Sequence, residues 1–309
     1  MKGRFLLLLL ILALAVPVRP VAGQEPPGHY LDFARHLFDE GDYFRSITEA
    51  KRFIFLSPQD PQRVEAELLI ARALYQAGQY REAREAFRPV FAQTGRPDLA
   101  AQALLELGRC LEALDSGRDA VAYYQGLTTE PALPAGHEPE IRNTAWYRLG
   151  WLLLEAGRWR ESREAFDRVE KNHELKASAV DLARRAPEGL GLDYRSPAAA
   201  GVLSGILPGA GQVYTGRPVD AGLAFTLNAA FLYGALEAYH DENWGVFALL
   251  GLMEIGWYGG NIYNAVNGAH IHNREEKDRF LRRIKRDHGW RLGGDPVGRG
   301  LVLSWTLDY

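Results

Sequence analysis

Two long apolar runs, residues 220–239 and 244–266, stand back to back in this chain with only a short polar turn between them. Each is about long enough to cross the roughly 30 Å hydrocarbon core of a bilayer as a helix. A turn this short forces the two to run antiparallel. Past Asp220 at its start, only Asn228 and the terminal Glu237 are strongly polar in the first run, and in the second Glu254 sits near the middle and Asn261 near the end. A carboxylate near mid-bilayer costs about 2.5 kcal/mol or more, so Glu254 is expected to be partnered or protonated. Asn228 on the facing helix is the expected partner in a structural hydrogen bond, with a proton- or ion-handling site as the sharper alternative. Ala230-x-x-x-Gly234 and Gly256-x-x-x-Gly260 have the small-residue spacing that lets helices approach closely. The competing reading is a buried hairpin inside a soluble core.

Just before these runs, residues 198–214 are uncharged but interrupted by Gly201, Gly205, Pro208, Gly209 and Gly211. Proline removes a backbone donor and clashes with the preceding turn, which argues against a straight spanning helix. A short interfacial helix that turns back at Pro208-Gly209 fits better. A phosphate cradle at Gly209-Ala-Gly211 would need a preceding strand, and none is predicted.

The preceding part of the chain repeats itself. Gly41-Asp-Tyr43, Gly78-Gln-Tyr80 and Gly157-Arg-Trp159 each place a glycine two residues before an aromatic, about seven residues after Ala34, Ala71 and Gly150. Asp115 stands where a fourth glycine would fall, so Gly41, Gly78, Asp115 and Gly157 lie 37, 37 and 42 residues apart. That period belongs to helix-turn-helix solenoids. Ala83-Arg-Glu-Ala-Phe87 and Ser162-Arg-Glu-Ala-Phe166 are nearly one phrase, and Ala66, Leu69, Ile70, Ala73 and Leu74 recur at helical spacing. Small residues admit a close second helix, aromatics fill the gap to the next unit, and glycine ends the first helix.

This pattern resembles the tetratricopeptide repeat (TPR) family, most closely at Trp146, Leu149, Gly150, Gly157, Trp159 and Phe166, with Pro58 closing the first unit. Ser46 and Ser162 stand where the family prefers alanine. The resemblance implies a concave surface for a protein or peptide partner, for which Arg72, Arg81, Arg109 and Arg148 are the candidate contacts. The stretch containing Pro208, Gly209, Gly211, Gln212, Tyr214 and Gly216, followed by the two runs, is similar to small two-helix bacterial membrane domains that open with Pro-Gly-x-Gly-Gln-x-Tyr-x-Gly. That second resemblance implies an anchor and carries no chemistry.

The N-terminus has a charged start at Lys2 and Arg4, an apolar run of about a dozen residues, and small residues before Gln24, which is the signal-peptide pattern. The net charge of −3 gives no argument for nucleic acid, and the single Cys110 excludes an intramolecular disulfide. His270-x-His272 lacks further metal ligands, and no nucleophile–base pair or cofactor loop is visible. Residues 274–291 are basic, with Phe280, Leu281 and Ile284 as an apolar stripe, the pattern of an amphipathic helix at lipid headgroups. Residues 301–309 alternate as a strand does.

The expected architecture is all-α. A signal segment (1–23) precedes TPR-like repeats (24–176), a linker helix (177–196), a membrane domain (197–273) and a basic tail with a terminal strand (274–309). The expected role is a non-enzymatic scaffold without cofactor, metal or nucleic acid. It would bind a protein partner and membrane lipid, at a bacterial inner membrane with its repeats in the periplasm. A small transport or channel-like component is the alternative. An exported repeat domain with two spans leaves the basic tail outside the cytoplasm, against the positive-inside tendency.

Overall fold

The computed structural model describes residues 27–92, 95–114 and 117–288. The signal segment, Asp115 and the terminal strand lie outside them. All regular elements among the described residues are helical: α1 (Pro27–Asp39), α2 (Tyr43–Leu56), α3 (Arg63–Gln76), α4 (Tyr80–Phe91), α5 (Pro97–Ala113), α6 (Gly117–Thr129), α7 (Glu138–Glu155), α8 (Trp159–Asp167), α9 (Lys176–Arg185), a 3-10 turn (Ala186–Gly191), α10 (Pro197–Ile206), α11 (Ala210–Tyr214), α12 (Pro218–His240) and α13 (Trp244–His288). They form two compact units, one reaching Tyr123 and including Glu130–Ile141, the other comprising Tyr124–Thr129 and the chain from Arg142.

In the first unit the repeat grammar becomes geometry. Gly41 and Gly78 sit at φ 81° and 74°, a left-handed conformation that glycine adopts without steric cost. Gly41 N–H donates to the Phe38 carbonyl and Asp42 N–H to that of Leu37; Gly78 and Gln79 repeat the pattern onto Tyr75 and Leu74. This paired 5→2 and 6→1 closure satisfies carbonyls the helix end would leave bare. The aromatic after each turn packs edge-on against the helix just ended, Tyr43 on Phe38 at 5.5 Å and Tyr80 on Tyr75 at 5.3 Å. Leu31, Phe53 and Ala66 form a buried cluster that joins α1, α2 and α3.

The two serines that depart from the TPR preference have a structural reason. Ser46 Oγ–H donates to the Ala34 carbonyl at 2.8 Å, and Ser162 Oγ–H donates to the Gly150 carbonyl at the same distance. Each is fully buried and ties the second helix of its repeat to the small residue of the first.

The second unit holds the α7–α8 repeat, whose turn at Gly157 (φ 77°) closes as the others do. Here Gly150 is required, because a Cβ would fall 2.6 Å from the Phe166 ring. Residues 177–196, expected as a linker helix, instead pack inward as part of α9 and the 3-10 turn. Leu182, Ala183 and Ala186 join Leu154, Trp159 and Phe166 in one core.

Beyond it lies a second helical module. α10 runs antiparallel to α13, with Gly201 against Val266 and Gly205 near Ile262. The chain then reverses at Gly209, α11 leads back to Ser196 at the start of α10, and α12 runs antiparallel to α13, Phe231 facing Trp257 at 6.4 Å. Two expectations change here. The second apolar run is only the first half of α13, a 45-residue helix, and the basic segment is that helix's uninterrupted far end rather than a separate amphipathic helix. One helix among the described residues, Pro218–His240, is long and apolar enough to cross a membrane by length and composition.

Candidate functional site

Along the first unit, the leading helices of successive repeats carry a row of charge. Glu65 on α3 takes Arg35 of α1 at 2.8 Å and Arg96, ahead of α5, at 3.1 Å, while Arg96 also holds Asp98. Further along, Arg72 donates to Gln102 at 2.9 Å. Arg109 pairs with Glu106 at 2.9 Å and lies over the Tyr75 ring at 4.9 Å. Arg72 has a buried Nε without a partner, and burial lowers its affinity for a proton, partly offset by Glu106. Of the four candidate arginines, Arg72 and Arg109 converge on this row. Arg81 is exposed on α4, and Arg148 is half-buried on α7 in the second unit. The Arg35–Glu65–Arg96 ladder was not anticipated, because pairs some thirty residues apart emerge only once the repeat period is imposed on charged positions.

Cys110 is fully buried, and burial pushes its thiol up to about 12. It behaves as a small apolar residue. No group of three or more His, Cys, Asp or Glu with metal-binding geometry occurs among the described residues.

In the helical module, the signature residues form one device. Ser196 caps α10 by accepting from Ala199 N–H, and Pro197 begins it. Past Pro208, Gly209 turns at φ 93°, with the Ala221 carbonyl 2.5 Å from where a Cβ would stand. Gly211 is wedged against the Ala200 carbonyl, Ser204 and Ala265. Gln212, 1% exposed, is the hub. Gly211 N–H donates to Ser204 Oγ, Ser204 Oγ–H donates to Gln212 Oε1 at 2.8 Å, and Gln212 Nε2–H donates to Asn261 Oδ1 at 2.5 Å and to its carbonyl at 3.0 Å. Tyr214 Oη accepts from Ser196 N–H, under the Arg195 guanidinium. Gly216 and Arg217 close α11 as the repeat helices are closed.

Asn228 and Glu254 do not form the expected pair. Asn228 Nδ2–H donates to the Ala224 carbonyl at 2.5 Å, and its Oδ1 and Glu254 Oε2 are both buried without a hydrogen bond. Gly234 does approach α13, at Leu250, but Ala230 is exposed, and a Cβ on Gly256 or Gly260 would meet nothing. The α12 contact ridge is instead Ala221, Ala224, Asn228, Ala235 and Ala238.

The far end of α13 meets the last repeat. Trp159 has Leu154, not an aromatic, at the position where earlier repeats place Phe38 or Tyr75. Its ring meets Phe280 of α13 edge-on at 5.4 Å. Phe280, Leu281 and Ile284 are buried in the α7–α9 core. Around them Lys285 pairs with Glu155 at 2.7 Å, Arg185 with Asp287 at 2.9 Å, and His288 with Asp181 at 3.0 Å. His272, considered above as a metal ligand, bonds the Asp193 carbonyl through its ring nitrogen.

Residues 68–136 and 144–174 match tetratricopeptide repeat family models. None of the curated proteins compared with the chain matches it. Solved structures similar to it include TPR-like repeats from a Podosopora anserina protein assigned as a kinesin light chain, 18% identical over 55% of this chain and 90% of that one, with a TM-score of 0.41. A tetratricopeptide repeat protein from Parabacteroides merdae is 12% identical over 84% of this chain and 98% of that one, with a TM-score of 0.40.

Proposed function

We propose that this chain is a non-enzymatic, membrane-anchored scaffold whose TPR-like repeats bind a protein or peptide partner at the periplasmic face of a bacterial inner membrane, in the service of envelope assembly. The repeat matches support partner binding, and the charged row from Arg35 to Arg109 supplies a surface for it. The signal-like N-terminus supports export.

Anchoring rests on one observation, an inversion of burial between the two parts of the chain. In the repeats, alanines pack together with large buried side chains such as Leu31, Phe53, Phe87, Tyr124 and Phe166. In the α10–α13 module the interior is Ala200, Ser204, Gln212, Ala224, Asn228, Asn261 and Ala265, while Val202, Ile206, Leu223, Leu232, Leu252 and Ile255 face outward. Water does not tolerate such an apolar belt, whereas small and polar contacts between helices with large apolar side chains outside suit a lipid solvent. In α12 only 22% of the most apolar stretch is buried within the protein, so it is not a core helix.

The test is alkaline carbonate extraction of membranes followed by mild crosslinking. The scaffold reading expects retention in the pellet and a crosslinked protein that is lost on deleting residues 30–174. Release into the supernatant, or a crosslinked partner unaffected by that deletion, overturns it. The transport alternative is favoured by the unpartnered Glu254 Oε2 and Asn228 Oδ1. It predicts that Glu254→Gln abolishes a solute flux for which the repeats are dispensable.

A further inference from the structure

We infer that the last repeat, α7–α9, and the far end of α13 lie on the same side of the membrane as one body, the spanning helix itself completing the core of that repeat. The inference rests on the anchoring proposed above, and it settles what the sequence left in conflict: whether residues 198–214 cross, and where the basic tail goes.

Length comes first. A helix of 45 residues is about 67 Å long, and about 20 residues take it through a bilayer core. More than twenty residues of α13 therefore project beyond the core, and a continuous helix cannot fold back. α10 has 10 residues, about 15 Å, half of what a crossing needs. It reaches Tyr258, whose hydroxyl donates to the Gly205 carbonyl, and reverses at Gly209. The chain thus dips in and returns before α12, the one described helix apolar enough to cross by its own composition, crosses, and α13, packed antiparallel on α12, comes back with it, an even number of crossings.

Attachment comes second, and it is double. Asn273 brackets the segment that leads into α10, accepting from Arg195 N–H at 2.6 Å and donating to the Arg195 carbonyl at 2.9 Å. One turn on, Lys277 Nζ donates to the Glu155 carbonyl at the end of α7, and beyond it Phe280, Leu281 and Ile284 enter the repeat core. The basic residues that conflicted with the positive-inside tendency include two already engaged here, Lys277 on the Glu155 carbonyl and Lys285 on its carboxylate. They answer to the repeat rather than to a headgroup layer. The Trp159 shelf is covered by the chain itself, so a partner must use other surfaces of the array.

The test uses single cysteines at three exposed positions, R160C on α8, R279C on the far end of α13 and E242C in the α12–α13 turn, in native membranes with an impermeant maleimide before and after permeabilisation. R160C and R279C are expected to label from one side and E242C from the other. R279C labelling together with E242C, opposite R160C, overturns the inference while leaving the anchor intact. Labelling of all three at once, with the protein released by carbonate, overturns the anchoring and the inference with it. Attachment is read separately with a zero-length carbodiimide. A Lys285–Glu155 crosslinked peptide is expected in the full chain and absent in K285Q, and its absence from the full chain overturns the single body.

Discussion

At the scale of the residue, the small positions of the repeats are not interchangeable. Ala34 and Ala71 tolerate a methyl group, but at Gly150 it would overlap the Phe166 ring. Gly150→Ala is expected to destabilise the protein by about 1–3 kcal/mol, the usual range for overpacking a filled core, as a lowered midpoint in urea unfolding of the purified full chain. Ser162→Ala, which removes a buried donor without adding bulk, is expected to cost about 1 kcal/mol in the same assay. The thiol of Cys110, buried and raised to about 12, should stay unreactive toward a maleimide at neutral pH until denaturant is added. The turn glycines and the small-to-aromatic spacing were legible from sequence because a left-handed cap has so few chemical solutions. The serine hydrogen bonds were not, since a serine among alanines looks like drift until its acceptor twelve residues earlier is seen.

At the scale of the element, α13 departs most from what the sequence offered. Its apolar, glycine-rich first half and basic second half were read as two objects because their compositions differ, yet nothing between them breaks a helix. There is no proline in α13, and the glycines of its first half lie within a continuous helix. Pairing across long separations was equally hidden. Phe280 looked like one third of an amphipathic stripe, and only the missing aromatic at Leu154 hints that Trp159 looks elsewhere for a neighbour. A double-mutant cycle of Trp159→Ala and Phe280→Ala is expected to give a coupling of about 0.5–1.5 kcal/mol, typical of edge-to-face rings. The Asn228–Glu254 pairing failed because the Asn228 amide donates to the Ala224 carbonyl of its own helix, which hydropathy does not encode. In the signature, spacing made Gly209 recognisable as a turn, whereas the role of Gln212 depends on three helices meeting around it. Gln212→Leu should break the Ser204–Gln212–Asn261 relay and leave buried amide and hydroxyl groups unmet at about 1–3 kcal/mol, seen as faster proteolysis of α10 in detergent.

At the scale of the whole molecule, the last repeat and the far end of α13 meet in a single shared core. Because residues 160 to 279 lie between Trp159 and Phe280, that core is completed late. During synthesis the last repeat must wait, with its tryptophan shelf bare, until the chain has travelled through the helical module and back. The final contact therefore reports that everything between has been placed correctly. A chain stopped after residue 273 would possess every repeat and every apolar run and still be unfinished. It is expected to show an exposed Trp159 by quenching of its fluorescence and rapid cleavage between α8 and α9. The helix that ties the repeats to the module thus also acts in time, as the event that ends assembly.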